Sequence, residues 1–310
     1  MSRAGFAAII GAPNAGKSTL VNRLVGAKVS IVTQKVQTTR FPVRGVAMED
    51  DSQVVLVDTP GIFTPRRRLD RAMVRSAWTG AEDADAVVHL VDVQAQMAAG
   101  EGKGSAADRR AVDDVDTIVA GLKGAGRKAI LALNKIDGIK RDRLLAVADA
   151  LFRTEAYEEV FMISAKEGSG VDDLKRRLAE LMPEGEWLYP EDQTADLPVR
   201  LLAAEITREK LFLRVHEELP YAAAVETTAF EEKKDGSARI EQTIFVGREG
   251  HRPIVLGKGG QTLKWIGEQS RKELAELLDR PIHLFLHVKV DEKWQERREH
   301  YADVGLDFEA

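Results

Sequence analysis

The 310-residue sequence contains no cysteine. That removes disulfides, thiolate metal sites and cysteine nucleophiles from consideration, and it fits a reducing compartment. Long apolar runs are missing as well. Nothing approaches the roughly 18 residues that a membrane-spanning helix needs, and the apolar stretch Phe6 to Ile10 is too short for a signal-peptide core. The chain is therefore expected in the cytosol. Internal repeats and long low-complexity tracts are also absent. Nor is there an excess of positive charge: 45 Lys and Arg against 50 Asp and Glu leave a net charge of -5, which argues against a general polyanion binder.

What is present fits an ordinary globular protein, with 44% hydrophobic and 31% charged residues in a chain long enough for two cores. Charge is unevenly spread. Residues 190–310 carry 18 basic and 24 acidic residues, yet within them Gly247 to Lys272 holds six basic residues against Glu249 and Glu268. A local basic patch in an acidic half points to a defined anion site.

Along the first part of the chain, short apolar runs alternate with helical patterns. The runs are Phe6 to Ile10, Val54 to Val57, Ala86 to Val93, Ala129 to Leu133 and Val160 to Ile163. Buried parallel strands read this way, so residues 1–182 are expected to form an α/β domain with a mostly parallel sheet. Helices are expected at Lys17 to Val25, Asp70 to Thr79, Val112 to Lys123 and Val171 to Leu181, with Met97 to Ala107 as a surface loop. Three prolines and a cluster of acids stop the pattern over 183–198, which reads as a linker. Beyond it, 199–292 reads as helix, strand, strand, helical turn and helix, strand, with Asp235-Gly236 marking the hairpin. Residues 293–310 form a tail, in which Lys293 to His300 reads as a charged, exposed helix.

Gly11-Ala12-Pro13-Asn14-Ala15-Gly16-Lys17-Ser18 follows a strand and opens a helix. In that context the glycine-rich backbone and helix N-terminus can cradle phosphates, Lys17 can reach the outer ones, and Ser18 offers a magnesium ligand. Three further strings close later strands, where open α/β sheets gather ligand contacts. Asp58-Thr59-Pro60-Gly61 supplies a carboxylate for magnesium and an unhindered N–H for a terminal phosphate. Asn134-Lys135-Ile136-Asp137 and Ser164-Ala165-Lys166 complete the set. Each alone could be a polar strand terminus; all four in this order are not a coincidence.

The four strings together resemble the translation-factor-related GTPases of the P-loop superfamily. The resemblance implies that Asp137 accepts two hydrogen bonds from guanine, that the Ala165 backbone meets the guanine carbonyl, and that Asn134 and Lys135 brace the base pocket. It places the first switch at Gln37-Thr38-Thr39-Arg40, with Thr39 chosen as the magnesium ligand and Thr38 as the alternative register. Lys17, Thr39, Asp58 and Gly61 would then serve hydrolysis. Gly61 is followed by Ile62, whose hydrocarbon side chain cannot orient water. The resemblance also implies potassium near Asn14, the alternative being a loop-bracing amide.

In the second half, Gly257-Lys258-Gly259-Gly260 opens a helix. A GxxG loop lets backbone approach phosphate because no Cβ intrudes, and Arg248, Arg252, Lys264 and Arg271 surround it in sequence. With the element order given above, this region resembles a KH domain of the bacterial type (type II). A GTPase domain followed by a KH domain resembles the Era-type GTPases over nearly the whole chain. That implies GTP and GDP as ligands, small-subunit ribosomal RNA near its 3′ end and the 30S-type subunit as partners, and a role in assembly of that subunit. A monomer and some peripheral contact with the inner face of the cell membrane are expected on the same ground. Two other readings are an RNA module with a degenerate nucleotide pocket and a GTPase of the tRNA-modification type. Intact Lys17, Ser18, Asp58 and Asp137 weigh against the first, and the lack of cysteine weighs against the second. Arg66-Arg67-Arg68 reads as a solvated face, or as an RNA contact.

Overall fold

A computed structural model describes residues 2–33, 35, 37–215 and 219–310. It divides into two units, Met1–Asp196 with Glu309–Ala310, and Leu197–Phe308.

The first unit begins with β1 (Arg3–Ile10), α1 (Lys17–Val25), β2 (Val43–Glu49), β3 (Ser52–Asp58) and α2 (Arg68–Asp83). It continues through β4 (Ala86–Asp92), α3 (Val93–Gly100), α4 (Ala106–Gly124), β5 (Ala129–Asn134) and α5 (Arg141–Phe152). It ends with β6 (Tyr157–Met162), α6 (Val171–Leu181) and β7 (Ala195–Asp196). The sheet order is β6-β5-β4-β1-β3-β2-β7, parallel except at β2 and β7. Alternate residues of β1 serve opposite faces. Ala7 and Ile9 pack with Leu20 and Leu24 of α1 and Leu174 and Leu178 of α6, while Ala8 and Ile10 pack with Ala77 of α2 and Val115 and Ile118 of α4. Each of the leucine, isoleucine and valine side chains among them contributes roughly 1.5–3 kcal/mol on burial. The carboxyl ends of the parallel strands are thereby held at one rim, where the motifs fall.

Three segments differ from the sequence expectation. Met97 to Ala107 is mostly helical rather than a loop. Asp92 caps α3 by accepting from Gln94 N and Ala95 N at 3.0 and 3.2 Å, and Ser105 and Asp108 form a capping box on α4. The caps outweigh the glycines between them. The expected linker is bound to the sheet up to Asp196. The amide of Gln53 is fully buried and acts as a strand partner: Oε1 accepts from Leu188 N and Tyr189 N at 2.8 and 2.9 Å, and Nε2 donates to Tyr189 O at 2.8 Å. Prolines break periodicity there but do not prevent pairing by a neighbouring side chain. The tail is not simply exposed either, because Trp294, Tyr301 and Leu306 are buried and the Trp294 indole donates to Ala222 O at 3.1 Å. Its charges face outward on a short α10 (Arg298–Ala302).

The second unit contains α7 (Val199–Arg214), β8 (Ala223–Glu232), β9 (Ala238–Val246), α8 (His251–Leu256), α9 (Gln261–Leu277) and β10 (Ile282–Val290). The sheet order is β10-β9-β8, with β9 antiparallel to β8 and parallel to β10. Leu211, Ile244, Val246, Val255 and Ile266 form its core. The helix expected to open the 199–292 region ends at Arg214, and residues 216–218 lie outside the described set.

Candidate functional site

The loop between β1 and α1 is shaped by glycines at positive φ. A Cβ on Gly11, at φ 156°, would stand 2.5 Å from Leu90 O, and one on Gly16, at φ 101°, would collide with the Asn134 amide. The backbone is thus free to turn its N–H groups toward a ligand at the start of α1. Lys17 is buried, and its Nζ donates to Gly11 O and Ala12 O at 3.1 and 2.9 Å. Burial pushes its pKa down to about 8, partly offset by the Asp58 charge. A cation kept under-solvated in this way gains strongly from a polyphosphate.

Ser18, Thr39 and Asp58 converge. Thr39 Oγ1 lies 2.9 Å from Ser18 Oγ and donates to Asp58 Oδ2 at 3.1 Å. Thr38 instead pairs with Thr33 at 2.6 Å and donates to Lys35 O at 2.7 Å. Burial raises the Asp58 pKa, while hydrogen bonds from Ser18 and Thr39 and the Lys17 charge oppose the rise. Asp58 Oδ1 is buried with no hydrogen-bond partner. Hydroxyl and carboxylate oxygens around an orphaned carboxylate oxygen suit a hard divalent cation such as magnesium.

The remaining motifs brace one another. Asn134 Nδ2 donates to Ala15 O at 2.8 Å and its Oδ1 accepts from Ala165 N at 2.9 Å, tying the phosphate loop to the Ser164–Lys166 turn. The Ala165 amide expected to meet guanine is directed at Asn134 in this structure. Lys135 Nζ donates to Asn14 O at 2.8 Å and pairs with Asp92 at 2.6 Å. Asp137 is exposed at the rim and the Asn14 side chain is exposed on the loop. Thr59 Oγ1 donates to Ile9 O at 2.7 Å. Gly61 lies against Pro13, where a Cβ would stand 3.0 Å from the Pro13 nitrogen. Ile62 is 1% exposed, packs in the core beside Ile10, and its N–H donates to Gly11 O at 3.1 Å. Its side chain is therefore taken up by the core.

Several bracing residues carry no motif. On α1, Asn22 holds the chain before the first switch by bonds to Val29 N, Ser30 N and Ser30 O at 2.8–2.9 Å, and Arg23 donates to Ala165 O and Lys166 O. Gln37 donates to Asp70 Oδ1 at 3.1 Å and so joins the first switch to α2. Asp92, at the end of β4, likewise belongs to none of the motif strings.

At the second site, Gly257, Gly259 and Gly260 have φ of 74°, 60° and 77°. A Cβ on Gly257 would strike Thr262, whereas Gly259 and Gly260 face open space. Lys258 is exposed, as are Arg248, Arg252, Lys264 and Arg271. Lys264 lies 4.0 Å from Glu268, too loose a pair to cancel it. Trp265 packs against the core with Arg214 over its ring at 5.4 Å.

The family model described as 50S ribosome-binding GTPase matches residues 6–135, and that described as KH domain matches residues 218–295. GTPase Era of Caulobacter vibrioides is 73% identical over 308 residues, covering 99% of this chain and 98% of the relative. GTPase Era of Maricaulis maris is 61% identical over 307 residues, covering 99% and 98%. Two crystal structures, a variant of Aquifex aeolicus Era bound to GDP·AlF4⁻ and Era in complex with MgGDPNP and nucleotides 1506–1542 of 16S ribosomal RNA, each match with TM-score 0.87 and 37% identity over 98% of this chain and 99% of theirs. With the phosphate loop, the braced base-side motifs and the GxxG loop all in place at that level of identity, the chain belongs to the Era family of GTPases.

Proposed function

We propose that this GTPase is a switch that grips small-subunit ribosomal RNA near its 3′ end through Gly257–Gly260 and acts in assembly of that subunit. The observation that carries the switch is the convergence of Thr39 on Ser18 and Asp58. It supports Thr39 as the first-switch residue that would meet magnesium and the third phosphate, so that loss of that phosphate would release the segment. Ser18, Thr39 and Asp58 would hold magnesium, which neutralises charge on the phosphates. Lys17 serves the outer phosphates, the Gly61 N–H the terminal one, and Asp137 selects guanine. Because Ile62 is buried, water orientation falls to backbone groups, with potassium near Asn14 supplying positive charge. Arg252, Lys258 and Lys264 add charge beside the open glycine backbone for RNA phosphates. The reading includes a monomer acting in the cytosol. Among the described residues no helix is long and apolar enough to cross a membrane, so any membrane contact is made from the surface. Crosslinking the protein to RNA in cells and sequencing the fragments tests the proposal: reads concentrated at the 3′ end of small-subunit rRNA support it, and reads scattered over unrelated RNAs overturn it.

A further inference from the structure

The helix that follows Gly61 carries a charge pattern that nucleotide chemistry does not use. Arg66, Arg67, Arg68, Arg71 and Arg75 fall within ten residues, and all five are exposed. Arg68, Arg71 and Arg75 are spaced three and four apart on α2, so they share one face and span about 10 Å at 1.5 Å per residue. The one acid in the stretch, Asp70, is 7% exposed and turned inward. Its Oδ2 accepts from Arg66 N and Arg67 N at 3.1 and 3.0 Å, and its Oδ1 accepts from Gln37 at 3.1 Å. The outer surface is thus left to guanidinium groups, in a chain whose net charge is -5.

The chemistry narrows the partner. All five cations are arginine, whose planar fork binds phosphate oxygens bidentately, and the N-terminus of α2 adds positive potential. One of them already holds an oxygen acceptor: Arg71 Nε donates to Ala310 O at 3.2 Å, within the first unit. A row of guanidiniums along one helix face matches a repeating phosphate backbone. We propose that the arginine face of α2 is a second RNA contact, made to the phosphate backbone by the helix that follows Asp58-Thr59-Pro60-Gly61. It rests on the RNA-binding reading given above, and it gives the nucleotide unit its own hold on RNA.

The test uses the full chain loaded with a non-hydrolysable GTP analogue and an RNA comprising the 3′-terminal domain of small-subunit rRNA. Affinity is measured across a salt series for wild type, for the triple variant Arg68→Gln, Arg71→Gln, Arg75→Gln, and for Lys258→Asp with Gly259→Asp. Glutamine keeps helix propensity on an exposed face, and unchanged GTP affinity and basal hydrolysis report an intact nucleotide unit. Losing three phosphate contacts should make the log-log salt slope shallower by about 2, at about 0.7 per single-strand phosphate, and weaken low-salt binding at least about tenfold. A triple variant with wild-type slope and affinity, on RNA that the GxxG variant fails to bind, overturns this proposal alone. RNA that wild type itself does not bind overturns the RNA-binding reading and this proposal with it. A triple variant that binds naked RNA normally but no longer associates with small subunits assigns the arginines to an acidic protein and also overturns it.

Discussion

At the nucleotide site nearly every motif leans on another. Asn134 ties the phosphate loop to the Ser164–Lys166 turn, Lys135 ties it to Asp92, and Thr39 rests on Ser18 and Asp58. At Gly257–Gly260 there is little of this: two of the three glycines face open space, and the surrounding cations are exposed. A pocket that must reject adenine and sense one phosphate needs fixed donors and acceptors, since unpaired buried polar groups are what penalise the wrong ligand. A clamp for a flexible strand needs access and charge, which cost less to hold in place.

The contrast breaks most sharply at the base. Asp137→Asn should lower GTP affinity at least about 100-fold, because two hydrogen bonds to a charged acceptor are lost, and should shift preference toward xanthine nucleotides. Equilibrium titration with both nucleotides checks this; equal GTP affinity in wild type and variant removes Asp137 from the pocket. At the other site, Lys258→Asp with Gly259→Asp should weaken RNA binding on the order of 100-fold at low salt while basal hydrolysis stays within about twofold. Filter binding and a phosphate-release assay separate the two readouts.

Acid should weigh on the nucleotide unit. His89 is fully buried against Tyr157 OH at 2.8 Å, and burial lowers its pKa from 6.5 to about 3. The unfolded chain takes up a proton that the folded chain refuses, so this group costs stability as pH falls from about 6.5 toward 3, at up to about tenfold in the unfolding constant per pH unit. His89→Phe should flatten that limb of a denaturation series, and an unchanged slope would exclude His89 as its source.

Smaller effects sharpen the account of bracing. Arg23→Ala removes two bonds to the Ala165–Lys166 backbone from an exposed side chain, and GDP and GTP affinity should both fall about fivefold. A loss confined to GTP would place Arg23 with the switches instead. Potassium should accelerate turnover a few-fold over sodium at equal ionic strength, and Asn14→Ala should abolish the difference while magnesium-dependent GTP binding persists. Identical turnover in the two salts contradicts the potassium assignment.

The motif strings could be read from sequence because phosphate and base chemistry force particular residues into short contiguous loops. The strands could be read for a related reason, since burial on both faces leaves apolar runs such as Ile9–Ile10 and Leu131–Leu133. Gln53, Asn22, Arg23 and Asp70 could not, because each acts on backbone or side chains brought near only by the fold. The partner of Gln53 is 135 residues away at Leu188. The 97–107 helices were hidden for a different reason: glycine content suggested a loop, and only the Asp92 and Ser105 caps decide otherwise.

A switch that acts on RNA should let its nucleotide state govern its grip on RNA. Affinity for a 3′-terminal small-subunit RNA, measured on one preparation loaded in turn with a non-hydrolysable GTP analogue and with GDP, tests it directly. The account predicts tighter binding in the triphosphate form by about tenfold, the scale of a typical coupling free energy, and equal affinities in the two forms would contradict it.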